Sequence, residues 1–160
     1  MSRAGLIAAV RYGALLPTFR NLAEAKRHLL ADRTRRLAQL RAVAKAFSTL
    51  SLDGSPESLV HLESWYLELF RRRQFSEIGV SREEFEKMMT AYFYSVVVNT
   101  FEGARWRVEA FPFARSRYTI GVSRGLVGMT GDRIFRNHFR VLQSKRRKGR
   151  AMSLLKLFEN

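Results

Sequence analysis

From Ser81 onward the apolar positions Phe85, Met89, Tyr92, Phe93, Val96 and Val97 recur at helical spacing. Past Phe101-Glu-Gly-Ala104 the period changes to two, with Trp106, Val108 and Ala110 on one side. That is the pattern of a buried helix running into a strand. Ser81 and Glu84 have the spacing of a capping box, and Gly103 supplies the left-handed residue on which helices commonly end. The rest of the chain is expected to pack around this joint.

Upstream, residues 3–15 predict a short helix, ended by Pro17 because proline disfavours helical geometry in the residue before it. Thr18 is placed to cap a long helix reaching about Phe47, with Leu30, Leu37, Leu40, Ala44 and Phe47 as its apolar seam. Ser55-Pro56-Glu57 marks another helix start: a capping hydroxyl, a proline whose missing donor costs nothing there, and a carboxylate at the positive helix end. Leu59, Leu62, Tyr66, Leu69 and Phe70 carry that seam, and Arg71-Arg72-Arg73 at its C-terminus is explained by the helix dipole. Phe75, Ile78 and Val80 are expected to pack the following connection into the core.

Downstream, Pro112 stops the first strand, and Arg117–Val122 resumes alternation with Tyr118, Ile120 and Val122 on one face. A hairpin is the simplest connection between them, with Phe113 expected in the core. Gly121, Gly125, Gly128 and Gly131 punctuate the next stretch as turns, and Leu126–Met129 reads as a third short strand. A helix capped by Asp132 or Asn137 follows. Ser153–Phe158 then reads as a terminal helix whose Leu154, Leu155, Leu157 and Phe158 tie the chain end down. The expected class is α+β: helix-rich, with a small antiparallel sheet of two to three strands in the C-terminal half. Ser48–Gly54 divides the chain into a basic helical N-terminal extension, residues 1–50, and an α+β domain, residues 51–160.

Charge sharpens this picture. The formal net charge is +15. Residues 1–50 hold ten Arg/Lys against two acids, residues 51–110 hold seven against ten, and residues 111–160 hold twelve against two. The middle is mildly acidic and both flanks are strongly basic, the distribution expected when flanks meet a polyanion or an acidic protein. Lys145-Arg-Arg-Lys-Gly-Arg150 lies between two apolar segments and is expected as a displayed loop.

Other chemistry is thinly represented. No cysteine is present, which removes disulfides, thiolate metal sites and thiol nucleophiles and fits a reducing cytoplasm. No apolar run is long enough for a membrane helix. The first 23 residues contain no acid and three arginines, so an organellar presequence is the alternative location. His28, His61 and His138 show no metal-ligand spacing, and the glycines match neither a phosphate loop ending in Gly-Lys-Ser/Thr nor a dinucleotide fingerprint. Glu83, Glu84 and Glu86 cluster in a helix's first turn, where the dipole explains them. No cofactor, metal site or catalytic constellation is expected.

Leu52-Asp-Gly-Ser-Pro-Glu-Ser-Leu59, the helix containing Ala91-Tyr92-Phe93, Gly103-Ala-Arg-Trp106, the two-strand stretch, Asn137-His-Phe139 and Ser153-Leu-Leu-Lys-Leu-Phe158 together resemble a diffuse group of small bacterial α+β domains of unknown function. Some of that group are similar to immunity proteins encoded beside bacterial toxins. The resemblance covers residues 50–158. Tyr94-Ser95-Val96 stands where Gly-Glu-Val is usual, and His138 replaces a proline.

The function expected from these features is non-catalytic binding of an acidic protein partner, as an immunity or antitoxin protein would do. The alternative is sequence-nonspecific nucleic-acid binding through phosphate contacts. The residues expected to carry either are Arg33, Arg35, Arg36 and Arg41 on the long helix, and Lys145, Arg146, Arg147, Lys148 and Arg150 near the C-terminus.

Overall fold

The computed structural model describes residues 2–143 and 149–159. Lys145, Arg146, Arg147 and Lys148 of the expected basic loop lie outside the described residues. In chain order the elements are α1 (Arg3–Leu15), α2 (Leu22–Phe47), α3 (Pro56–Arg72), α4 (Arg82–Thr100), β1 (Arg105–Ala110), β2 (Tyr118–Arg124), β3 (Val127–Thr130), α5 (His138–Gln143) and α6 (Arg150–Leu155). A single 3-10 turn, Lys156–Phe158, closes the described chain.

The helix starts follow local capping chemistry. Ser55 Oγ accepts from Ser58 N and Ser81 Oγ from Glu84 N, as the sequence predicts. The reciprocal half of the Ser81 box is absent, because the Glu84 carboxylate is drawn instead to Lys87 and Arg36. α2 is capped by Asn21, not Thr18: Asn21 Oδ1 accepts from Glu24 N at 2.9 Å, while Glu24 reaches back to Arg20 N at 2.7 Å. Thr18 is occupied elsewhere, in a bridge with Arg117 that fastens the chain before α2 to the hairpin. Gly103 takes φ +78° after α4, the geometry a β-carbon would penalise.

α4 is the axis of the fold. Phe85, Met88, Met89, Tyr92, Phe93, Tyr94, Val96 and Val97 are all buried, since α3 packs on one side and α2 and the sheet on the other. The sheet is antiparallel with β2 in the centre, and β1 pairs with β2 so that Val108 faces Ile120 and Trp106 faces Val122. Gly121 lies opposite Thr130, where a β-carbon would come within 2.6 Å of the Thr130 Cα. The main apolar cluster gathers α3, α4, Val122, Phe135, Ala151, Leu155 and Phe158, and it includes Leu40 and Ala44 of α2. A second, smaller cluster joins Phe19, Ala25 and Val108 with Leu29, Tyr118 and Ile120.

Two apolar expectations change. Phe113 is 40% exposed at the hairpin corner, leaning edge-on against Phe111 instead of entering the core. Leu157 is exposed, so Leu155 and Phe158 anchor the end. Of the two starts expected for the next helix, the later one is found: α5 begins at His138, directly after Asn137, which adopts a left-handed φ of +52° and whose amide oxygen accepts from Arg82.

Buried polar groups tie the helices together. Glu63 of α3 and Glu86 of α4 are each about 4% exposed. Glu63 Oε1 lies 2.6 Å from His138 Nε2 and accepts from Ala151 N at 2.9 Å, clamping α5 and α6 onto α3. Glu86 Oε1 accepts from the Tyr66 hydroxyl at 2.6 Å, and that hydroxyl receives Phe139 N. The dipole explanation therefore holds for Glu83 and Glu84 but not for Glu86, which is an acceptor inside the core.

Candidate anion-binding face and the cavity beneath it

α2 carries two kinds of basic residue. On its outward side Arg27, Arg41 and Lys45 are exposed and, among the described residues, meet no carboxylate. At 100° per residue they share one face, and at 1.5 Å per residue they span roughly 27 Å of helix. Arg41 and Lys45 also edge a shallow depression beside Ser48 and Thr49. Arg35 is exposed but donates to Asp32 Oδ1 at 2.5 Å.

On the inward side the sequence-predicted arginines behave differently. Arg36, with its side chain 13% exposed, donates from Nε to Asp32 at 2.6 Å and from Nη1 toward Glu84 at 3.4 Å. Burial raises the Asp32 carboxyl, but hydrogen bonds from Arg36 and Arg35 outweigh it and hold the group below its usual range. Arg33 lies with its guanidinium carbon 4.7 Å from the Trp106 ring centroid. Arg150 opens α6 and is half-buried. The structure thus places Arg33 and Arg36 together on the side of α2 facing α4 and the sheet, and sets Arg35 and Arg41 apart from them.

Between α1, α2, α4 and the sheet lies a cavity of about 180 Å³. Its walls include Leu29, Ala91, Tyr94, Trp106 and Ile120, and Arg33, Arg36 and Lys87 are at its edge. Asp132 also borders it, accepting from the Tyr12 hydroxyl at 3.0 Å. Burial, reinforced by the Asp132 charge, pushes the Tyr12 hydroxyl up to about 12. Tyr94 donates to Gly131 O at 2.9 Å, and burial raises its ionisation too. No group of His, Asp and Glu among the described residues is arranged to hold a metal ion, and no described helix is long and apolar enough to cross a membrane.

Sequence comparison places this architecture. The profile described as "Uncharacterised protein YwmA" matches residues 18–159, from the bridge before α2 to the end of the described chain. The chain belongs to the YwmA family. The uncharacterized protein YwmA of Bacillus subtilis (strain 168) is 31% identical over 114 residues, covering 71% of this chain and 72% of that one. No solved structure matches. The match confirms the resemblance to small bacterial domains of unknown function and extends it through α2, which the motifs read from sequence left out.

The cavity was not read from the sequence, because its residues come from segments as far apart as Tyr12 and Asp132, 120 positions distant. Glu63 did leave a signal: it stands four residues after Leu59 and three before Tyr66, a carboxylate on an apolar seam.

Proposed function

We propose that this YwmA-family protein is a non-catalytic binding protein whose basic surfaces engage an acidic protein partner. The observation that carries the reading is the exposed row of Arg27, Arg41 and Lys45 on α2, which no carboxylate neutralises among the described residues. Unpaired, exposed cations on a rigid helix raise association rates with an oppositely charged surface and disfavour like-charged competitors. Arg35 and Arg36 are committed in part to Asp32 and contribute less. The segment containing Lys145, Arg146, Arg147 and Lys148 adds positive charge between α5 and α6.

An acidic protein is preferred to nucleic acid on one ground. Single-strand binders set aromatic rings among their cations as stacking platforms, and between Arg27 and Lys45 the outward positions are Ala31, Thr34, Ala38 and Ala42. Small side chains let a partner surface approach the helix closely.

The test is affinity capture from the native cell with wild type and with Arg27→Glu/Arg41→Glu/Lys45→Glu. The reading expects one stoichiometric acidic protein with wild type and its loss with the triple variant at unchanged thermal stability. Recovery of ribosomes or nucleic acid alone would overturn it. Mobility shifts of DNA and RNA at two salt concentrations complete the comparison, since phosphate contacts weaken steeply with salt.

A further inference from the structure

Protein interiors are close-packed, yet the cavity holds the two apolar clusters apart. Leu29, Tyr118 and Ile120 belong to the small cluster, and Trp106 and Tyr94 to the main one. A cavity of about 150 Å³ accepts benzene, so a space of about 180 Å³ accommodates one ring or a short aliphatic chain.

The charged groups around it are unequally committed. Arg36 is held by Asp32 and Glu84, and Lys87 by Glu83 and Glu84. Arg33 has no carboxylate among the described residues; its Nη2 reaches only Thr34 Oγ1 at 3.3 Å, and its Nε is buried without an acceptor. Its guanidinium carbon lies 4.7 Å from the Trp106 ring centroid, a cation–π contact that holds the head group beside the cavity wall. An arginine held in place and left short of an acceptor matches the planar fork of a carboxylate. The other carboxylate on the wall without an arginine or lysine is Asp132, which Tyr12 caps. It repels an anion, and among the described lining residues Arg33 is the cation left to attract one. A dianion such as phosphate is disfavoured, because among the described residues Arg33 is the one uncommitted cation on this wall, while Asp32 and Asp132 also line it and Glu84 reaches Arg36.

We propose that this cavity binds a small organic monocarboxylate, its apolar body between Trp106 and Ile120 and its carboxylate on the fork of Arg33. This site is separate from the outer row of α2, so either reading stands if the other fails.

The experiment is titration of the full chain with benzoate and with hexanoate, followed by amide chemical-shift mapping and calorimetry, with benzamide and benzylamine as neutral and cationic comparators. The expected result is saturable binding of at least one acid at millimolar concentration or below, with shifts centred on Arg33, Ala91, Trp106 and Ile120. Arg33→Gln weakens it by about tenfold or more, and Arg33→Lys weakens it less. Ala91→Leu fills the space without touching the charge and also weakens it, with the urea midpoint confirming a folded protein. No saturable shift with either acid, equal binding of benzamide and benzoate, or undiminished binding in folded Arg33→Gln or Ala91→Leu would each overturn the proposal. Capture by the Arg27, Arg41 and Lys45 row is unaffected in these two variants.

Discussion

Removing the Glu63 carboxylate tests whether one buried acid holds the C-terminal elements in place. In Glu63→Ala two donors lose their acceptor: His138 Nε2, now at 2.6 Å, and Ala151 N, at 2.9 Å. His138 is fully buried and its Nδ1 already has no partner, so the ring is left without a hydrogen bond. Each orphaned buried donor costs about 1–3 kcal/mol, and the lost γ-methylene adds about 1 kcal/mol. The expected loss is about 3–7 kcal/mol, a large share of the total stability of a domain of this size. Urea denaturation followed by circular dichroism measures it, and hydrogen exchange localises it: the Ala151 amide and the α6 amides should lose protection before those of α4. Glu63→Leu/His138→Phe removes both side chains of the buried pair and should lose less than the sum of the single changes, because only the Ala151 amide is then left without its acceptor. A loss below about 1 kcal/mol in Glu63→Ala, or exchange that rises evenly across the chain, would refute the clamp.

Three further outcomes follow from named contacts. Burial raises Tyr12 to about 12 and also raises Tyr66 and Tyr94, desolvation being the largest cause in each; groups raised in the folded state stabilise fully below the unfolded value of about 10, so stability should decline as pH climbs from there toward 12. Tyrosinate absorbance and far-ultraviolet circular dichroism measured together check this, and free titration of all tyrosines near pH 10 without unfolding would contradict it. Gly103→Ala meets no steric neighbour but must hold φ +78°, and should cost about 1 kcal/mol by thermal denaturation. Phe113→Ala should cost less than about 1 kcal/mol, because the ring is 40% exposed at a corner; a loss typical of a core phenylalanine would show that it packs more tightly than described.

Much of the architecture was legible where the determinants are local. Ser55 and Ser81 cap helices through bonds spanning three residues, Gly103 exits one through its own dihedral, and the alternation of Tyr118, Ile120 and Val122 gives a strand face directly. Errors arose where a tertiary contact competed with a local preference. Thr18 has a capping side chain, but its backbone is taken by Arg117, and the start of α2 passes to Asn21. Phe113 has the apolar area for a core, but Pro112 and the turn to Arg117 carry it to the rim. For the candidate site, the sequence supplied the arginines and not their partners. Arg33, Arg35 and Arg36 are near neighbours in the chain, yet one stacks on Trp106, one salts Asp32 at the surface, and one reaches Glu84 across 48 positions. A run of like residues cannot disclose which members face a cavity.

Gly121 also limits how the sheet can assemble. With the central strand drawn so near the Met129–Thr130 backbone that no side chain fits there, sliding β3 past β2 by one step would bring Ile120 or Val122 into a space with no room for it. Bulk at this one position therefore favours the alignment in which Gly121, and not a larger residue, meets Thr130.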